Sequence, residues 1–266
     1  MQTDRPIEEF VRDLRPNEER ANLMTNCRRI VAFSPHPDDT EIIAGGFLAA
    51  AVRRGAEVKV VVAADDRMAF TSPEKEMPME ERVAIRKREE KEALKVLGIK
   101  DVEFLEYIDS ELPEARVLFR DFVAIMRDYG PDLAITVDPL LPHESQSDHI
   151  NTGRAVMEAV LLYPLVHAGG YLARRIKVKA KPPIIALGWT SSPNAIVRID
   201  ETIDTKVAAI LSHASQFPDG KKMDKAIRRI ASVYGQAIKC NYAEAFKVLR
   251  LDELHMDVGL GGFVLE

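Results

Sequence analysis

The sequence of 266 residues lacks several features that mark specialised classes of protein. It contains only two cysteines, Cys27 and Cys240, which form no CxxC pair, so it predicts neither a disulfide framework nor a cysteine-rich metal site. No apolar run approaches the roughly 18 residues of a membrane-spanning helix, and the longest candidate, 155–168, is interrupted by Glu158 and Pro164. The N-terminal segment is too charged for a signal peptide. We therefore expect a cytoplasmic protein with no membrane partner.

An excess of positive charge is also missing. The 37 Lys and Arg residues against 42 Asp and Glu residues give a formal net charge of −5. A chain this acidic is a poor candidate for binding a polyanion over a broad surface, so no nucleic-acid partner is expected. Apolar residues make up 46% of the sequence and charged residues 30%, a balance typical of a globular protein with a substantial core.

The first two thirds of the chain alternate between apolar runs typical of buried strands and longer segments with helical spacing. Predicted strands cover 29–34, 58–64, 102–107 and 133–137, and predicted helices cover 41–54, 79–97, 114–129 and 148–162. This alternation predicts an α/β fold with a Rossmann-like, mostly parallel sheet. Because the strands are apolar on both faces, helices should cover both sides of the sheet.

The remaining third has a looser pattern. It predicts an edge strand over 174–181, strands over 184–189 and 195–199, and helices over 202–217 and 222–237. No internal repeat or low-complexity linker separates this part from the rest. We therefore expect a single α/β domain over 1–266, with a helical lead-in at 1–28 and a C-terminal extension of the same domain at 170–266.

The first predicted strand runs directly into an unusual turn with the sequence SPHPDDTE, followed by Gly45-Gly46. In an open parallel sheet, ligands bind in the crevice at the carboxyl ends of the strands. His36, Asp38 and Asp39 place residue types that ligate metals on this one turn. Alternatively, one of the two aspartates only caps the following helix. The turn has no GxGxxG, and its carboxylates would repel a pyrophosphate, which disfavours a nucleotide site.

A second polar segment, DPLLPHESQSDH over 138–149, follows the fourth predicted strand and precedes a helix. It therefore lies at the same edge of the sheet, where His149 can reach His36 and Asp39. Two histidines and one carboxylate are a standard ligand set for catalytic Zn²⁺, with the fourth position open. The same trio suits Fe²⁺, so the sequence leaves the identity of the metal open.

These motifs resemble those of the LmbE-like superfamily of zinc-dependent N-deacetylases, which includes the N-acetylglucosaminyl-phosphatidylinositol de-N-acetylases. Within it, the chain is most similar to the archaeal diacetylchitobiose deacetylase group. The resemblance covers roughly residues 28–217. HPDD with the following GG is its most specific part, and 138–149 matches the family's second motif. Weaker matches are 65–68, 86–89 and 213–216.

The resemblance implies a reaction and its main residues. His36, Asp39 and His149 would hold Zn²⁺, with Fe²⁺ or another divalent metal as alternatives, and Asp38 would be the general base. Arg86 would help bind the substrate. The expected reaction hydrolyses the N-acetyl group of a small molecule that contains N-acetylglucosamine, such as N,N'-diacetylchitobiose. We also expect a homo-oligomer.

Other residues are candidates for the substrate side of the site. Asp66 and Asp109 follow predicted strands and could bind sugar hydroxyls, or they could be ordinary carboxylates of loop turns. His213 is a substrate-side candidate by resemblance, or an ordinary helix histidine. Most of the charged helix that carries Arg86 should be solvated, with pairs at i,i+4 such as Arg86 with Glu90.

The sequence departs from the family pattern near the predicted metal ligands. Gln146 stands where the family usually has His; its amide can donate a hydrogen bond to an oxyanion but cannot carry a proton. His143 could supply the missing imidazole, or it is a loop residue. Asp148 could orient an imidazole or cap a helix. Two alternatives therefore stay open: an amidase on another sugar or thiol–sugar conjugate, and a weakly catalytic metal- or sugar-binding homologue.

Overall fold

The computed structural model describes residues 7–69, 77–165 and 182–255. The strands are β1 (Arg29–Ser34), β2 (Glu57–Ala64), β3 (Asp101–Tyr107), β4 (Leu133–Val137), β5 (Ile184–Gly188), β6 (Ala195–Arg198) and β7 (Ala243–Leu249). The helices are α1 (Ile7–Asp13), α2 (Glu18–Thr25), α3 (Asp39–Arg53), α4 (Met79–Leu97), α5 (Ala115–Tyr129), α6 (Ser147–Leu162), α7 (Ile203–Leu211) and α8 (Gly220–Ala237).

The strands form one sheet in the order β3-β2-β1-β4-β5-β7-β6. Strands β1 to β5 pair in parallel, whereas β7 runs antiparallel to both β5 and β6. The predicted Rossmann-like, mostly parallel α/β fold is therefore confirmed. The order reverses between β1 and β4, which is the topological switch point where such sheets bind ligands.

Helices cover both faces of the sheet, as the apolar strands predict. Along β1, Ile30 belongs to the core on one face, together with Phe47 of α3. Val31 and Phe33 point into the opposite core, where the ring of Phe33 lies 4.6 Å from that of Phe122 on α5. Because side chains alternate along a strand, this arrangement buries every position of β1 after its first residue.

The C-terminal third differs from the sequence-based expectation in two places. Strand β7 was not predicted, because the charged residue Glu244 interrupts its apolar run. Glu244 is buried, accepts hydrogen bonds from the N–H groups of Gly46 and Phe47, and pairs with Lys206 at 2.6 Å. These partners compensate the burial of its charge.

The predicted helix over 202–217 is too long, since α7 ends at Leu211. Beyond it, the backbone N–H and the hydroxyl of Ser215 donate to the carboxylate of Glu89 on α4. These tertiary hydrogen bonds hold the segment around His213 as turns instead of further helix. The predicted edge strand over 174–181 lies outside the described residues. Among the helices that are described, none combines the length and apolarity that crossing a bilayer requires.

Gly46 on α3 is packed too closely to accept a side chain. A Cβ there would lie 2.8 Å from Cδ1 of Ile199, whereas a Cβ at the neighbouring Gly45 would first meet Cγ of Lys206 at 3.3 Å, a milder overlap. We expect Gly46→Ala to lower the free energy of unfolding by about 1–3 kcal/mol, because overpacking outweighs the better helix propensity of alanine. Gly45→Ala, the matched control, should change it by less than about 1 kcal/mol. Urea unfolding of both variants tests this, and equal stabilities would contradict it.

Candidate metal centre and active site

The turn after β1 is held by its own hydrogen bonds. The hydroxyl of Ser34 donates to the carbonyl of His36 at 2.7 Å and accepts the N–H of Thr40 at 3.2 Å. The N–H of His36 donates to Oδ2 of Asp39 at 2.9 Å. Asp38, between them, has a φ of 101°, a left-handed conformation that is uncommon for a residue with a side chain. The turn thereby fixes the direction of both carboxylates.

His149 reaches this turn from the neighbouring strand. It lies in the first turn of α6, after the loop that follows β4, and β4 pairs with β1 in parallel. Oδ2 of Asp39 lies 3.3 Å from Nδ1 of His36 and 3.4 Å from Nε2 of His149. The structure therefore brings together the three residues that the sequence analysis proposed as metal ligands.

The geometry and charge of this trio fit a divalent cation. Ligand atoms around tetrahedral Zn²⁺ lie about 3.3–3.6 Å apart, given bonds of about 2.0–2.2 Å. All three side chains are buried. Burial alone would lower the pKa of His36 and of His149, but contacts with carboxylates raise both above the ordinary value. The surrounding carboxylates thus favour positive charge at this point.

Carboxylates also face the second nitrogen of each imidazole. Nε2 of His36 lies 3.3 Å from Oδ2 of Asp148 and 3.5 Å from Oδ1 of Asp109. Nδ1 of His149 lies 3.4 Å from Oε2 of Glu144. Such partners set the tautomer and ring orientation of histidines that bind metals. Asp148 also accepts the N–H of Ser110 at 2.8 Å, which favours the orienting role over helix capping.

Asp38 is held by a fully buried arginine. Nη2 of Arg86 donates to Oδ2 of Asp38 at 3.0 Å, while its Nε donates to Asp66 at 2.5 Å and its Nη1 to Glu89 at 2.8 Å. Burial raises the pKa of Asp38 well above its usual value, and the neighbouring carboxylate of Asp39 raises it further, whereas Arg86 lowers it. The result is a carboxyl group in a fixed position that can hold a proton.

Part of the expectation for α4 is wrong. The face that carries Arg86 is buried, not solvated, and Arg86 pairs with Glu89 at i,i+3. Glu90, the expected partner, instead accepts the backbone N–H of Asp38 at 3.2 Å. The charge pattern of the helix did not reveal this, because i,i+4 pairs on a solvated surface and inward-facing charges can produce the same spacing.

A second buried cluster lies behind Asp38 and contains Glu41, Glu90 and His213. Burial raises the pKa of Glu41 to about 8 and lowers that of His213 to about 3, so this imidazole is neutral. Nη1 of Arg86 approaches Nδ1 of His213 at 3.4 Å, and Arg can only donate. The remaining proton of His213 is therefore on Nε2, which faces Glu90. Nε2 of His213 lies 3.6 Å from Oε2 of Glu90 and 4.0 Å from Oε2 of Glu41.

The substrate-side candidates occupy different environments. Arg86 and His213 have no exposed surface, and Asp66 is buried against Arg86. Asp109 is buried and accepts the N–H of Met68 at 2.8 Å. A substrate contact stays a prediction for all four, and their present contacts are with other residues of the site.

The two candidates from the second motif lie on its exposed loop. His143 has a φ of 72°, and Gln146 directly precedes α6. Gln146 is exposed and lies three residues before His149 in the sequence. Their roles in catalysis also stay predictions.

Trp189 is among the neighbours of the site that sequence analysis missed. Its ring stacks on that of His149, with centroids 5.6 Å apart and an angle of 25°. Trp189 directly follows β5, which pairs with β4 in parallel. Its position as the last residue of the predicted strand over 184–189, at the same edge, was the signal that could have identified it.

Comparison with known proteins gives consistent matches. The family "PIG-L: GlcNAc-PI de-N-acetylase" matches residues 31–160. The chain is 30% identical over 237 residues to diacetylchitobiose deacetylase of Thermococcus kodakarensis, covering 87% of this chain and 86% of that protein. It is 30% identical to a probable N-acetyl-α-D-glucosaminyl L-malate deacetylase 2 of Bacillus cereus, covering 71% and 84%.

A solved structure is similar over nearly the whole chain. N,N'-diacetylchitobiose deacetylase from Pyrococcus horikoshii, complexed with its inhibitor MPG, superposes with a TM-score of 0.84 at 31% identity, covering 98% of this chain and 99% of that one.

Metal binding should depend on the trio far more than on its neighbours. We expect Asp39→Ala and His149→Ala to lose the bound divalent metal, because each removes a ligand. Asp148→Asn should weaken metal affinity about 10–100-fold, since it disturbs only the orientation of His36. Elemental analysis and chelator competition measure this, with the exposed His255→Ala as control. Full metal content in Asp39→Ala would refute the proposed ligand set.

Proposed function

The chain belongs to the PIG-L family of GlcNAc-PI de-N-acetylases, and from this premise we propose that it is a zinc-dependent N-deacetylase. Its proposed substrate is a small molecule that contains N-acetylglucosamine, such as N,N'-diacetylchitobiose, and its products are acetate and a free amine. The observation that carries the proposal is the buried trio of His36, Asp39 and His149 with Asp38 beside it. Two relatives named for the deacetylation of N-acetylglucosamine derivatives support it.

The proposed mechanism divides the work between metal and protein. A zinc ion held by His36, Asp39 and His149 would polarise the acetyl carbonyl and make a neighbouring water more acidic. Asp38 takes a proton from the water while the oxygen of the water bonds to the carbonyl carbon. As the C–N bond breaks, Asp38 gives this proton to the departing nitrogen.

Asp38 suits this role better than Asp39 does. Oδ2 of Asp39 already lies between two imidazoles, whereas Asp38 has a carboxyl group that burial makes easier to protonate. A group that exchanges protons works best when its pKa lies near the operating pH. In this proposal Arg86 acts as a positioning residue, because it holds the carboxyl group of Asp38 and has no surface for the substrate.

Gln146 is the proposed donor to the oxygen that becomes negative during attack. Its amide N–H could stabilise this charge without transferring a proton. His143, on the same exposed loop, is the alternative imidazole. If neither is effective, the chain is the weakly catalytic homologue that the sequence leaves open.

Four parts of the proposed function depend on membership of the family more than on the geometry of the site. These are the identity of the metal as zinc rather than iron, a single domain over 1–266, a homo-oligomer and a cytoplasmic location. The relative named for N-acetylglucosaminyl malate makes another sugar conjugate the alternative substrate.

Replacing the proposed base should slow turnover strongly without emptying the metal site. We expect Asp38→Asn to lower acetate release from N,N'-diacetylchitobiose about 10²–10⁴-fold, because the amide cannot accept the proton of water. Zinc content should stay near that of the wild type. The matched control is Glu111→Gln, which neutralises an exposed carboxylate. A zinc-loaded wild type that is inert on every N-acetyl sugar would overturn the proposed function.

Restoring an imidazole at position 146 tests the weakly catalytic alternative. If that alternative holds, Gln146→His should raise kcat more than tenfold, because a proton-carrying group is then available near His149. Steady-state kinetics measure the effect, with His143→Ala showing whether this histidine already contributes. Wild-type turnover of about 1 s⁻¹ or more, unchanged by Gln146→His, would exclude the alternative.

A further inference from the structure

An apolar cavity of about 280 Å³ lies beside the candidate metal centre, between the start of α3, the helix α8 and the strand β7. We propose that this cavity receives a hydrophobic chain carried by the substrate. This inference rests on the proposed function and adds a specificity determinant to it.

The cavity lies next to the candidate metal centre, and two sets of lining residues connect them. Trp189 lines the cavity, and its ring stacks on the proposed ligand His149. Ile42 and Ile43 also line it, and they follow Asp39 by three and four residues on α3, about one helical turn of 5.4 Å. The cavity is therefore close enough to take up a group attached within a few bonds of the reacting amide.

The lining selects for apolar groups. It consists mainly of isoleucine and alanine side chains, with the rings of Trp189 and Tyr234. Among the described residues that line it, the only charged ones are Lys206 and Glu244, and they are bonded to each other at 2.6 Å.

Lys206 and Glu244 also make hydrogen bonds to backbone groups. Nζ of Lys206 donates to the carbonyl of Ile42 at 2.6 Å, and Glu244 accepts from two backbone N–H groups of α3. The pair therefore has little left to offer the hydroxyls of a second sugar ring. The hydroxyl of Tyr234 and the indole N–H of Trp189 could bond only some of them, and the rest would be buried without partners. Methylene groups carry no such cost.

The size of the cavity limits the length of the hydrophobic chain that the substrate can carry. An apolar cavity of about 150 Å³ is enough to bind benzene. This one therefore accommodates a chain of about four to six carbons. Such a chain could replace the acetyl group on nitrogen, or it could be an alkyl group on the anomeric oxygen.

Isothermal titration calorimetry can compare the two possible attachment points of the hydrophobic chain. It uses the zinc-loaded Asp38→Asn protein, in which turnover should be slow. One arm compares N-acetyl- with N-hexanoylglucosamine, and the other compares the methyl with the hexyl glycoside of N-acetylglucosamine. In one arm the longer chain should bind at least tenfold more tightly, since each buried methylene is worth roughly fourfold. That arm identifies where the chain is attached.

Two further substitutions locate the effect. Ala245→Leu fills the cavity, and Ile230→Asp puts a charge at its exposed edge. Each should reduce the preference for the long chain to less than twofold, with binding of the short ligand kept. Ala226→Leu, at an exposed position of α8, is the matched control.

The outcomes separate this inference from the proposed function. Equal binding of long and short chains in both arms overturns the inference, even if the wild type releases acetate. A preference that survives Ala245→Leu also overturns it. If Ile230→Asp changes the sedimentation of the protein but not the preference, the face is an interface between copies and the inference is wrong. If no substrate is hydrolysed but the preference is found, only the proposed function fails.

Discussion

One carboxylate oxygen, Oδ2 of Asp39, lies between two imidazoles from different segments of the chain, and the rest of the site depends on this contact. It exists because β1 and β4 are parallel neighbours whose carboxyl ends meet at the switch point of the sheet. One imidazole is fixed by the turn that contains Asp39, and the other by the first turn of α6. A change in strand order would separate the two histidines without altering either local motif.

Ion pairing explains why so many charged groups can be buried around Asp38. A buried ion is tolerated only when its partners replace the water it has lost. Arg86 meets three carboxylates, and removing it would leave those charges uncompensated as well as release Asp38. Stability and catalysis therefore cannot be separated by a single substitution at Arg86, whereas Asp38→Asn keeps the size of the side chain and alters mainly its capacity to carry a proton.

The sequence predicted those parts of the molecule in which one local pattern determines the structure. Apolar runs located β1 to β5, and HPDD after β1 located the turn that holds His36 and Asp39. The predictions failed where contacts between distant parts of the sequence determine the structure. Glu244 is charged yet buried in β7, and Arg86 faces inward from a helix that reads as solvated. In both cases partners distant in sequence supply the compensation, and a local pattern contains no information about them. Trp189 was missed because stacking on His149 depends on the pairing of β4 with β5.

The part of the chain that the family model matches ends at residue 160, and this boundary separates two kinds of residue. The proposed metal ligands, Asp38 and Arg86 all lie within it. Trp189, α8 and β7, which line the apolar cavity, lie beyond it. Hydrolysis of an amide requires only the first group, since the bond being broken is the same in every such substrate. What is attached to that bond differs between substrates, and in our proposal the C-terminal elements contact it together with Ile42 and Ile43 of α3. Substrate preference can therefore change through these elements while the chemistry at the sheet edge stays constant.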